Sequence, residues 1–154
     1  MTKRFLLACA AVLALLAFAA VASGAGKATK HKISDAGTQR VLQTNGSTLT
    51  VTGTIHDKVG GDGATTATVT VPQATPNNLI VNATAFYKKG TVTVRGTIVA
   101  TPQPDGSATY AGTVTATSGT GIWKGVRGKL TFTGTQTAQD QTLTTYTLAG
   151  TVRY

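Results

Sequence analysis

The strongest constraint in this chain is a strict two-residue period. In TLTVTGTI, residues 48–55, Leu49, Val51, Gly53 and Ile55 fall on one side and Thr48, Thr50, Thr52 and Thr54 on the other. TVTVRGTIVA from Thr91 repeats the pattern, as do YAGTVTA from Tyr110, KLTFTGT from Lys129 and the closing YTLAGTVRY. Successive side chains of a strand point to opposite faces, so this period predicts strands with one apolar and one threonine face. ATVTV from Ala67 and NLIVNATAFY from Asn78 add two strands, and a short RVLQ before Asn45–Gly46 is a candidate eighth. Between them stand the turn clusters TNGS, VGGDGA, PQATPNN, YKKG and TPQPDGSA. No stretch of the mature chain has helical period. Seven or eight short strands so spaced predict a sandwich or a closed antiparallel barrel.

Glycine decides between the two. One recurs on the apolar face of five strands, at Gly53, Gly96, Gly112, Gly134 and Gly150. Glycine inside a strand marks a bend, a bulge or a close approach. Five strands each bending at one inward glycine fit a sheet that closes on itself. The fold expected is therefore all-β, an antiparallel eight-stranded closed barrel. The same glycines would leave room inside for a ligand, or would serve as corners only.

The N-terminus sets the compartment. Met1–Arg4 is short and basic, Phe5–Ala22 is an unbroken apolar run, and small residues follow. This is the layout of a secretory signal peptide, so residues 1–25 read as a cleaved signal and the product as secreted, extracellular or periplasmic. Residues 26–37 read as a basic flexible linker and 38–154 as one barrel domain, about 120 residues and so of single-domain size. Lys27, Lys30 and Lys32 give that linker the means to touch an anionic membrane or cell-wall surface.

Composition removes several chemistries. The only cysteine, Cys9, leaves with the signal, so disulfides, thiolate nucleophiles and thiolate metal sites go with it. The chain has five Asp, no Glu, and two His, His31 and His56. A His–carboxylate metal centre is not expected, nor is a cofactor. The formal charge of +9 is spread along the sequence without a basic cluster interleaved with aromatics, so nucleic acid is not an expected partner.

SGTGIWKGVRG, residues 118–128, has the glycines and cations of a phosphate loop. Such a loop must open a helix, yet the strand KLTFTGT follows. The stretch is thus an inter-strand connection in which Ile122 or Trp123 plugs a barrel end. GTGIWKGVRGKLTF resembles the G-[ST]-G-x-[FY]-x-G-[AV]-x-G segment of allene oxide cyclases and the GTGxFxxARG segment of dirigent proteins. HDKVGGDGATTATVTV from His56 resembles the dirigent HD segment, and KGTVTVRGT from Lys89 the strand before the cyclase motif. The resemblance implies a calycin-like eight-stranded barrel of allene oxide cyclase or dirigent type, with an apolar cavity and a tendency to homo-oligomerise. It also implies a small apolar or phenolic ligand, with dirigent-like or cyclase/isomerase activity. A pocket glutamate of the cyclases has no counterpart here.

Carried over residue by residue, the catalytic candidates are Asp57, matching the dirigent HD, and Arg127, matching ARG. Strand phase puts Asp57 on the apolar face and His56 outside. Asp57 then reads equally as a cavity acid or as a rim carboxylate capping a turn. Arg127 points outward by phase, and only a bulge at Gly128 would turn it in. Tyr110, Tyr146 and Trp123 are the ligand-binding candidates, the two tyrosines sharing the inward phase of their strands. Two rival readings stand beside the ligand-binding one. A structural cell-surface barrel would hold no ligand. An outer-membrane barrel would turn its apolar face to lipid, but its strands need roughly 9–11 residues, and several here look shorter.

Overall fold

The computed structural model describes residues 28–154. Eight antiparallel strands run in chain order: β1 (Lys30–Asn45), β2 (Thr48–Asp57), β3 (Gly61–Thr70), β4 (Asn78–Tyr87), β5 (Gly90–Pro102), β6 (Ala108–Gly119), β7 (Arg127–Gln136) and β8 (Leu143–Arg153). One 3-10 turn, Gly121–Trp123, interrupts the β6–β7 connection. Each strand pairs with the next and β8 pairs with β1, from Lys30 opposite Arg153 to Arg40 opposite Leu143. Closure leaves no unpaired edge, which matters for a chain whose backbone is almost entirely extended.

The two-residue period is what sorts the faces. Val51 and Ile55 of β2, Val114 of β6, and Leu130 and Phe132 of β7 are buried inside. The intervening threonines face out, and across strands they align. Thr52 lies opposite Thr66, Thr66 opposite Thr84, and Thr84 opposite Thr93. Hydroxyls meet at 3.2 Å between Thr84 and Thr93 and at 2.7 Å between Thr133 and Thr147. Such cross-strand pairs each add a few tenths of a kcal/mol or more, so the outer face contributes to stability while staying polar. The inward glycines act as places of close approach. A Cβ on Gly53 would run into the Thr38 carbonyl oxygen, and one on Gly96 into that of Thr113.

Two expectations are corrected. Residues 30–37 are no flexible linker; they form the first half of β1, hydrogen-bonded to β8, and from Ala36 on to β2 as well. The charged look of the segment comes from its outward side chains, Lys30 and Lys32, while Ile33 and Asp35 point in and are buried. The strands are also longer than they looked, between 10 and 16 residues, so length is no argument against spanning a membrane. The orientation of the faces is one: apolar residues are inside and threonines outside, the reverse of what lipid contact requires. The signal peptide expected at 1–25 lies outside the described residues.

Candidate ligand cavity

The two ends of the barrel differ. One end carries the β2–β3 turn, the β4–β5 turn, the 120–126 connection and both ends of the described chain. Here Gly121 and Gly125 have positive φ, +60° and +81°, and the connection folds back over the barrel. The Ile122 amide donates to the Lys89 carbonyl at 3.1 Å, and the Thr91 amide donates to Thr120 Oγ1 at 3.0 Å. Trp123 and Val126 are thereby dropped into the barrel, 2% and 1% exposed. The plug is therefore Trp123 with Val126, while Ile122 stays outside, 40% exposed.

Above this plug is a cavity of about 240 Å³. Its wall is mainly aliphatic, and it reaches the opposite end past Val41, Leu49, Leu79, Gln136 and Gln141. Tyr110, at this mouth, donates its hydroxyl to Gln136 Oε1 at 2.9 Å. Tyr146 lies deeper, stacked on Phe132 at 5.5 Å with its hydroxyl donating to the Thr54 carbonyl at 3.2 Å. Burial pushes its phenol up to about 12.

At the plugged end the lining turns polar and aromatic. Asp35 of β1 points into the cavity. Its register, one step beyond the Ala36–His56 pair, sets it across from Asp57 of β2. Its Oδ1 has no hydrogen-bond partner among the described residues, and neither has Trp123 Nε1. Burial, followed by the neighbouring Asp57 carboxyl, raises the Asp35 pKa to about 8, against a smaller lowering effect of the Tyr87 hydroxyl. A carboxyl in an apolar site resists ionisation, the more so beside a second one. The same burial and the same two carboxyls raise the Tyr87 phenol. Tyr87, Trp123 and Tyr154 form a continuous aromatic floor, with ring centroids 5.7 and 4.9 Å apart.

The residues singled out from the sequence divide. Tyr110, Tyr146 and Trp123 all line the cavity. Asp57 is buried, 2% exposed, but is not on the cavity wall. Its Oδ1 accepts the Val59 amide at 2.8 Å and also the Gly60 amide, so it caps the β2–β3 turn. Arg127 stays on the outer face: β7 pairs with β8 without a register shift at Gly128, and the guanidinium donates to the Val126 carbonyl at 2.6 Å. The structure does not bring Arg127 and Asp57 together. Asp35 and Tyr87 are the residues the sequence reading passed over. Both were in phase, Asp35 with Ile33 and Gln39 on β1, and Tyr87 with Val81 and Ala83 on β4.

These features define a closed antiparallel eight-stranded barrel with an internal cavity. Compared with protein-family models, with curated proteins and with solved structures, the chain finds no match in any of the three.

Proposed function

We propose that the protein is an exported barrel that binds one small, largely apolar or phenolic molecule in its cavity, in the manner that its resemblance to the allene oxide cyclase and dirigent barrels implies. The observation that carries this reading is a set of buried, unpartnered polar atoms on a mainly aliphatic cavity wall, Asp35 Oδ1, Thr65 Oγ1 and Trp123 Nε1. Buried polar groups are almost always hydrogen-bonded, and an unpaired one costs about 1–3 kcal/mol. A hydroxyl both donates and accepts, so a phenol or alcohol can serve a carboxyl acceptor and an indole N–H donor.

A cyclase or isomerase step would run through Asp35, the one carboxyl on the cavity wall. Held near pKa 8, it carries a proton at neutral pH and can deliver or recover it at a bound ligand. Asp57, the acid expected from the sequence, would act only by raising Asp35.

The test is native mass spectrometry of the protein recovered from its own host's medium, set against the denatured mass of the same sample. An additional mass that is lost on denaturation, and is reduced in Asp35→Ala, supports the reading and gives the ligand's mass. Equal masses for the wild type would favour a structural barrel that holds nothing. The denatured mass also shows whether the N-terminal segment has been removed.

A further inference from the structure

We propose that the plugged end of the barrel is a membrane-docking face for anionic lipid headgroups, holding the barrel upright with its mouth toward solvent. The proposal does not depend on what the cavity binds.

The sequence spreads its cations along the chain, but the barrel collects them. Every turn at the plugged end carries lysine: Lys58 in the β2–β3 turn, Lys88 and Lys89 in the β4–β5 turn, and Lys124 in the β6–β7 connection. The strand ends beside them add Lys30, Arg127 and Arg153, with Arg153 directly opposite both of the others. All seven are exposed. Like charges directly opposite on one face are destabilising, so this grouping needs a partner to compensate it. The Arg40–Asp140 ion pair and the His56–Asp62 hydrogen bond involve none of the seven. At the plugged end the one exposed acid is Asp62, whereas the turns at the mouth hold no lysine or arginine and carry Asp105 and Asp140. The barrel is electrically polarised along its axis.

Charge alone would suit any polyanion. What favours a lipid surface is that exposed apolar side chains stand among these cations; the mouth exposes Leu42, Ile80 and Val99, but its turns carry no lysine or arginine beside them. Val59 is 41% exposed between Lys58 and the start of β3, and Ile122 is 40% exposed one residue before the buried Trp123. Phe86, 47% exposed, lies on the outer wall at the end of β4, two residues before Lys88. Apolar tips ringed by cations are the pattern of interfacial binding, in which the first enter the headgroup region and the second neutralise it. A second feature agrees. β1 begins at this end, so the chain preceding residue 28, with its apolar run Phe5–Ala22, joins the barrel on this side.

The experiment is flotation of the mature protein, recovered from medium, with vesicles of phosphatidylcholine alone and of phosphatidylcholine mixed with phosphatidylglycerol. Binding is expected only to the mixed vesicles, and it should weaken with salt. A Lys88→Gln/Lys89→Gln variant should bind about thirtyfold more weakly, at about 1 kcal/mol for each cation removed. Ile122→Ser should weaken vesicle binding several-fold while leaving retention on immobilised polyphosphate unchanged. Gln103→Ala, in the β5–β6 loop at the mouth, should change neither. Equal binding to both vesicles, or none to either, overturns the proposal. Vesicle binding that ignores Ile122→Ser, with polyphosphate bound as tightly, also overturns it in favour of a soluble polyanion.

Discussion

The plugged end and the mouth are made by the same eight strands, yet they meet different physical demands. At the mouth the polar groups are satisfied near water: Tyr110 binds Gln136, and Gln141 reaches the Gly106 carbonyl at 3.2 Å. At the plugged end, two buried carboxyls lie below the Trp123 plug and its neighbours Tyr87 and Tyr154, and Asp35 Oδ1, Trp123 Nε1 and Tyr154 Oη find no hydrogen-bond partner among the described residues. Outside, the contrast is one of charge, cationic at the plug and near neutral at the mouth. A closed barrel lets chemistry be concentrated at one end, because the walls need only alternate.

Substitutions that strip the plugged end should therefore cost more than their counterparts at the mouth. Trp123→Ala should be the most damaging, removing the plug and leaving a void, for about 3–5 kcal/mol in urea unfolding. A loss below 1 kcal/mol would mean that the floor is not packed as described.

Asp35→Asn should act through pH. A carboxyl whose folded pKa is raised from 3.8 to about 8 holds its proton more tightly in the folded state than in the unfolded. Its contribution is complete below about pH 4 and is lost progressively as pH rises toward 8. The wild type should thus lose stability across that window, and Asp35→Asn should flatten the curve and be the more stable of the two at pH 9. Parallel curves for the two proteins would remove Asp35 from the account.

At the mouth, Tyr110→Phe should cost only about 1 kcal/mol, one half-buried hydrogen bond. A larger loss than that of Trp123→Ala would invert the comparison of the two ends.

The strands and their closure were legible because the period is so regular and one glycine recurs on the inner phase of five of them. Strand phase also placed Tyr110, Tyr146 and Asp57 inward and Arg127 outward. Asp35 was missed for a physical reason: its outward neighbours Lys30 and Lys32 give the segment the composition of a solvated tail, and a half-buried strand hides its apolar phase behind such charges. Whether Asp57 faced the cavity or capped a turn could not be read from phase, since both need an inward carboxyl. The choice rests on the Val59 and Gly60 amides, which only the turn brings within reach. The cationic end was invisible along the sequence because its lysines come from turns some thirty residues apart.

The central claim is that the cavity floor holds a buried carboxyl, Asp35, beside a second one, Asp57. Its most direct test is a ¹³C NMR titration of the Asp35 side-chain carboxyl in the wild type and in Asp57→Asn. A midpoint near 8 that falls when Asp57 is neutralised is the result predicted. A midpoint near 4 in both proteins, the ordinary value for a solvated aspartate, would contradict it.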